Sequence, residues 1–225
     1  MRFHKPDIIL CDLDGTLVDS VPDLAWCTNA MLRRLTLPEH PEALIRNWVG
    51  NGLNTLLKRA LTGTMNEEPD PNLLGTANTL FRVLYEQHTC QHSRLYEGVK
   101  HGLSWLRAQK IRLACVTNKD ERFTLPVLRT LGIAHYFDIV ISGDSLAHKK
   151  PHPEPLLHAA AYFGVTPANA IMIGDSVNDV KASRAAGFRI ICTSYGYNHG
   201  MDIRTTEPDA VIDNFIELEN LFIET

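Results

Sequence analysis

The stretch Ile8-Ile9-Leu10-Cys11-Asp12-Leu13-Asp14-Gly15-Thr16-Leu17 decides how this chain is read. An apolar run passes straight into two carboxylates at positions i and i+2, and then into an Asp-Gly pair. A continuous apolar run bounded by a turn signal predicts a strand buried on both faces, the habit of parallel strands. In an extended chain, residues i and i+2 face the same way, about 6.6 Å apart. Carboxylates placed so at a strand end repel each other and are poorly solvated, so they require a cation or a shared proton. An Asp-Gly surface turn is the bland alternative, but the strand before it is too apolar for an edge.

Outward from this strand the pattern repeats. Leu113-Ala114-Cys115-Val116, Ile139-Val140-Ile141, Ile171-Met172-Ile173 and Ile190-Ile191-Cys192 read as further buried strands, and Ala210-Val211-Ile212 as a weaker one. Helical periodicity fills 99–109, 121–131, 154–163 and 178–186, and Asp213 to Leu221 reads as a closing helix. Strand–helix alternation predicts an α/β fold, a doubly wound parallel sheet with a Rossmann-like, three-layer αβα core. The alternation breaks from about residue 20 to residue 93. There only helical periodicity is found, at 20–35, 42–49, 53–62 and 72–90, with Asn66-Glu67-Glu68-Pro69-Asp70-Pro71 as a polar loop. The expectation is a core domain built from 1–18 and 95–225, with an all-helical cap domain inserted over 19–94. The crossings near Gly15 to Ser20 and Ser93 to Gly98 are the expected hinges.

Length and composition agree with this division. At roughly 150 residues per domain, 225 residues suit a large domain carrying a smaller one. A hydrophobic fraction of 44% and a charged fraction of 21% exclude wholesale disorder. Twenty-two Lys plus Arg against 26 Asp plus Glu leave −4, which argues against a nucleic-acid partner. No apolar run approaches the ~20 residues that cross a bilayer, and the N-terminus lacks the pattern of a signal peptide. The five cysteines (Cys11, Cys27, Cys90, Cys115, Cys192) are scattered like reduced core thiols. A cytoplasmic protein without a membrane partner is expected. The histidines, His135, His148 and His152 among them, lack ligand spacing and read as surface or core residues. Nothing in the sequence fixes the oligomeric state.

In a doubly wound sheet, ligands bind beyond the carboxyl ends of the strands. Asp12 and Asp14 follow the first strand, Thr117-Asn118 the second, and Gly174-Asp175-Ser176-Val177-Asn178-Asp179 the fourth. Lys149-Lys150-Pro151-His152-Pro153 lies between the last two. Each has a plain structural reading. Thr117-x-x-Asp120 and Ser176-x-x-Asp179 match helix capping, and the proline-spaced segment matches a stiff linker. Together, however, they bring carboxylates, a hydroxyl and an ammonium to one edge, which is an inventory for a phosphate and a divalent cation.

Those four motifs, in that order, resemble the haloacid dehalogenase-like superfamily of phosphohydrolases across essentially the whole chain. The helical insert resembles its mobile cap. Within it, Asp12 to Asp23 and Asn47-Trp48-Val49-Gly50-Asn51-Gly52, followed by Lys58-Arg59-Ala60-Leu61, are most similar to phosphoglycolate phosphatases. Cys11 departs from the aromatic residue usual there. The resemblance implies a Mg²⁺-dependent phosphomonoesterase for a small-molecule ester. Asp12 would be the nucleophile, and Asp14 an acid and base kept protonated at first by crowding with other carboxylates. Thr117, Asn118 and Lys150 would bind the phosphoryl group. The metal would rest on Asp12, the Asp14 carbonyl and Asp175, with Asp179 behind them; ligand type alone admits Mn²⁺ as well. Asn51, Lys58 and Arg59 would be cap residues reading a substrate carboxylate, although Arg59 at its helical position also reads as a solvated or interhelical charge.

Several other readings are weaker. A phospho-receiver is half as long and carries its aspartate after the third strand. A dehalogenase does not need Asp14, a membrane pump needs spans, and a non-catalytic binding module would be expected to lose some of the acids. A sugar-phosphate mutase or a phosphatase for another sugar phosphate shares this core and stays open.

Overall fold

The computed structural model describes residues 3–223; the ends of the expected core segments, 1–2 and 224–225, lie outside them. In chain order the chain forms β1 (Phe3–His4), β2 (Ile8–Cys11), β3 (Val18–Asp19), α1 (Val21–Arg34), α2 (Glu42–Trp48), α3 (Leu53–Thr62) and α4 (Pro71–His88). There follow β4 (Arg94–Leu95), α5 (Val99–Ala108), β5 (Arg112–Val116), α6 (Glu121–Thr130), β6 (Ile139–Ile141) and α7 (Glu154–Phe163). The last elements are β7 (Ala170–Gly174), α8 (Val177–Ala186), β8 (Arg189–Thr193), β9 (Ala210–Ile212) and β10 (Phe222–Ile223).

The six longer strands make one sheet in the order β6-β5-β2-β7-β8-β9, with every neighbour parallel. The chain winds outward from β2 in one direction and then in the other, so the sheet is doubly wound and β2 is its switch point. Side chains alternate between the two faces as the pleat dictates. Ile9, Cys11, Leu113, Cys115, Ile171 and Ile173 pack into one apolar cluster, together with Leu103 and Leu106 of α5 and Val127 of α6. Ile8, Leu10, Ala114, Val116, Ala170 and Met172 pack on the other side against Leu156 of α7 and Ala182 of α8. That makes three layers, and it explains why these strands read as unbroken apolar runs.

Helices α1 to α4 pack around a separate apolar cluster that includes Trp48, Leu57, Phe81 and Tyr85, joined by Phe123 and Tyr197 from outside these helices. Helix α4 begins where Asp70 accepts the N–H groups of Asn72 and Leu73 ahead of Pro71, a good N-terminal pair. The chain enters and leaves this helical group through β3 and β4, which pair antiparallel, Val18 with Leu95 and Asp19 with Arg94.

Two local expectations need correction. The segment 213–221 holds only a short 3-10 helix, Phe215–Asn220, capped by Asn214 and Glu217. It stops because β10 must pair with β1, a contact of 219 residues' separation that no local pattern reveals. Thr117 does not cap α6: Asp120 occupies the N-cap position, and Thr117 Oγ1 instead accepts the Lys119 N–H at 3.2 Å. The Ser176–Asp179 capping box does form. All five cysteines are buried and unbridged, and among the described residues no helix is long and apolar enough to cross a membrane.

Candidate active site

Strand β2 delivers Asp12 to the carboxyl edge of the sheet, and the turn after it folds Gly15 under Asp175. Gly15 has φ 92°, in the left-handed region, and a Cβ there would lie 2.2 Å from Asp175 Oδ2. A Cβ on Gly196 would press equally close to the Asp175 side chain. Two glycines thus let backbone from both sides close on one carboxylate. Asp175, 2% exposed, accepts the Thr16 hydroxyl at 2.7 Å and the Tyr197 N–H at 2.6 Å.

Asp12 is held by one oxygen only. Its Oδ1 accepts the Leu13 N–H at 2.7 Å and lies 3.0 Å from Lys150 Nζ, while Oδ2 takes no hydrogen bond among the described residues. Lys150 Nζ also donates to Asp179 Oδ1 and to the Val116 carbonyl, both at 2.7 Å. Asp179 is fully occupied, because its Oδ2 also accepts the hydroxyl and N–H of Ser176. Asp179 therefore anchors Lys150 and the turn after β7.

Carboxylate oxygens of Asp12, Asp175 and Asp179 lie within 4.8 Å of one another, and among the described residues Lys150 is the one ammonium bonded to them. Burial and mutual repulsion set their acidity. Burial first, then the neighbouring Asp179, pushes Asp12 up from 3.8 to about 7, although Lys150 opposes this. Burial and the charge of Asp12 raise Asp175 well above the carboxylate range. Burial alone would lower Lys150, but Asp12 and Asp179 outweigh it and keep the ammonium charged. Three buried acids, if all ionised, outnumber the one ammonium, and oxygen donors so crowded suit a hard divalent cation in place of protons. The residues present fit such a group.

Asp14 departs from expectation. Its nearest charged neighbour is not a carboxylate but the Lys119 ammonium, 3.1 Å from each of its oxygens. The turn after β2 aims Asp14 towards the residues that follow β5, where Lys119 stands. Lys119 directly follows Thr117-Asn118, and its position at a strand end was the available signal for it.

A small cavity, about 50 Å³, opens between the strand ends and the helices. Asp12, Asp14, Thr117, Asn118 and Lys119 line it from the sheet side, with Leu56, Phe81 and Tyr85 from the helices. The loop between α2 and α3 is clasped to the sheet edge: Asn118 Nδ2 donates to the Gly50 carbonyl at 3.0 Å, and Asn178 Nδ2 does so at 3.3 Å. The Asn118 side chain also donates to the Lys150 carbonyl at 2.9 Å, so it ties the helical group to the Lys150 loop.

The cap residues named from sequence do not meet the cavity. The Arg59 guanidinium donates to the Trp48 carbonyl at 2.7 Å and the Met65 carbonyl at 3.2 Å, inside the helical group. Lys58 pairs with Glu68, and Asn51 turns to Asn178 at 3.4 Å. Helical phase told which residues share a face but not what that face meets. Arg59→Ala should accordingly lower stability by about 1–3 kcal/mol, the cost of stranding buried acceptors of a charged donor. It should leave the order of preference among phosphate esters unchanged; thermal unfolding and a kcat/KM panel measure both.

The family model for haloacid dehalogenase-like hydrolases matches residues 9–193. A phosphoglycolate phosphatase of Nitrosococcus oceani is 58% identical over 217 residues, covering 96% of each chain. One of Nitrosospira multiformis is 47% identical over 222 residues, covering 98% of each. The crystal structure of a predicted phosphoglycolate phosphatase from Haemophilus somnus superposes with a TM-score of 0.92 at 36% identity, covering 97% of this chain and 98% of that one. The chain belongs to the haloacid dehalogenase-like hydrolase family.

Proposed function

We propose that this chain hydrolyses 2-phosphoglycolate to glycolate and phosphate through an aspartyl-phosphate on Asp12. The observation that carries the reading is the Asp12 carboxylate itself, pinned through one oxygen and open at the other, beside a buried ammonium and a second buried acid. The substrate is suggested by the phosphoglycolate phosphatases to which the chain is 58% and 47% identical.

In this reading Oδ2 of Asp12 attacks phosphorus in line, and the Asp12 O–P bond forms as the ester O–P bond breaks. Asp14, on the cavity wall and paired with Lys119, takes up a proton from solvent as the ester enters, gives it to the leaving oxygen and later takes one from the water that hydrolyses the aspartyl-phosphate. The Thr117 hydroxyl, whose oxygen already accepts the Lys119 N–H, keeps its own hydrogen for a phosphoryl oxygen. Lys150 steadies Asp12 and offsets the incoming charge. A divalent cation, Mg²⁺ by family habit, would be held by Asp12, Asp175 and the Asp14 carbonyl, and when bound would neutralise the charge gathered there. Asp179 would serve it only by fixing Lys150 and the loop of Asp175.

Residues 1–18 and 95–225 would then carry the chemistry, with 19–94 a cap that excludes water and shapes the cavity. Phosphate release from a panel of esters with Mg²⁺ present tests the reading. The expected result is a kcat/KM for 2-phosphoglycolate at least about 10-fold above those for sugar phosphates. Preference for another ester would replace the substrate, and conversion of a sugar phosphate to its isomer without phosphate release would make the chain a mutase.

A further inference from the structure

A glycolate ester brings a second charge, its carboxylate, which an apparatus for phosphate alone does not meet. Beyond the acids, the cavity wall is largely apolar, formed by Leu56, Phe81 and Phe123 among others. An unpaired carboxylate there would be strongly disfavoured. Among the described residues lining the cavity, Lys119 is the one cationic side chain.

The two buried ammoniums of this region answer to different acids. Lys150 is saturated by Asp12, Asp179 and the Val116 carbonyl. Lys119 has three N–H groups and one anionic partner, Asp14, and lies 4.9 Å from the centre of the Tyr85 ring. Burial would lower its basicity, but the Asp14 carboxylate beside it outweighs that, so it stays charged. Tyr85 lines the same cavity and is 1% exposed, yet among the described residues its hydroxyl finds no acceptor. A buried phenol without an acceptor beside a buried ammonium forms half of a binding site.

We propose that Lys119 and the Tyr85 hydroxyl form a subsite for the substrate's carboxylate, and that Lys119 shares its N–H groups between that carboxylate and Asp14. The proposal rests on the function proposed above and deepens it. The carboxylate would bind on the Asp14 side of the cavity, so the leaving oxygen, two bonds from it, is brought to Asp14. The phosphoryl group keeps to the Asp12 and Lys150 side. Lys149 is the rival cation. Its Nζ comes close enough to Gly52 that a Cβ there would lie 2.5 Å away, but it does not line the cavity.

The test compares kcat/KM for 2-phosphoglycolate and for 2-hydroxyethyl phosphate, which lacks the carboxylate, in the full-length enzyme with Mg²⁺. The difference in leaving group cancels when the ratio of the two is compared between variants. Lys119→Met should lower that ratio about 10- to 100-fold, mainly through KM for 2-phosphoglycolate, and Tyr85→Phe about 3- to 10-fold. Lys149→Met should leave it at the wild-type value. Lys119→Gln, which still offers Asp14 a donor, takes the place of the methionine variant should that not fold. Equal losses on both esters, which is what a mere prop for Asp14 would produce, would overturn the proposal, as would a collapse confined to Lys149→Met. A wild-type enzyme indifferent between the two esters removes the substrate reading and the subsite with it. A wild-type preference that survives both Lys119 and Tyr85 variants sinks the subsite alone.

Discussion

Asp12→Asn should abolish phosphate release, with a loss of at least about 10⁴-fold in kcat and no phosphoprotein detectable on rapid quenching. The amide has the shape of the carboxylate but not its nucleophilicity. The Leu13 N–H can still donate to the side-chain oxygen that takes the place of Oδ1, and Lys150 keeps Asp179 and the Val116 carbonyl. The site should therefore hold together. The substitution also removes one of three crowded acids, and burial with the neighbouring charge of Asp179 already pushes Asp12 up to about 7. Without metal at pH 8, the variant should melt no lower than the wild type. Loss of activity with an unchanged or raised Tm separates a missing nucleophile from a damaged fold. An active variant would refute the covalent route.

What the sequence discloses and what it hides divide along a physical line. Asp12, Thr117 and Asp175 were legible because each follows an apolar run that a buried parallel strand explains, and a doubly wound sheet gathers its strand ends at one edge; Lys150, well along the loop after β6, was legible only in the company of the other motifs. The capping box of Ser176 and Asp179 was legible because it is local. Arg59 took its interhelical reading and not its substrate one, because helical periodicity gives the angle of a side chain about the helix axis, not the neighbour it meets; Asn51, in the loop between α2 and α3, turns to Asn178 and not to the cavity. The pairing of Lys119 with Asp14, 105 residues apart, and the grip of Thr16 and Tyr197 on Asp175 depend on how separate strand ends abut. Tyr85 reaches the cavity beside Phe123 of α6 and the Lys119 ammonium, residues far from it in the chain. No local pattern encodes these contacts, yet they decide which acid is paired and which oxygen is open.

Removal of divalent cation should cost the enzyme about 10³-fold or more in rate, fully restored by Mg²⁺. A phosphate dianion brought to Asp12 and Asp175 meets like charges, each worth roughly 4 kcal/mol at 4 Å and an effective dielectric near 20, and Lys150 alone does not offset them. The same surplus of charge makes a prediction about stability that does not depend on turnover. Asp12 and Asp175 have folded-state pKa values raised above their unfolded ones, by burial foremost and then by neighbouring acids. A raised carboxylate binds more protons in the folded state, so the metal-free protein should lose stability as pH rises from about 4 to about 7 and beyond, as each acid ionises. A bound cation takes the place of those protons. The increase in Tm on adding Mg²⁺ should therefore be small at pH 5 and grow towards pH 8, with protons released on binding near neutrality. Asp175→Asn should flatten that pH dependence and weaken the response to Mg²⁺, because it removes both a charge and a ligand. A Mg²⁺-induced shift in Tm that is the same at pH 5 and pH 8 would show that the cation does not bind among these acids, whatever its effect on rate.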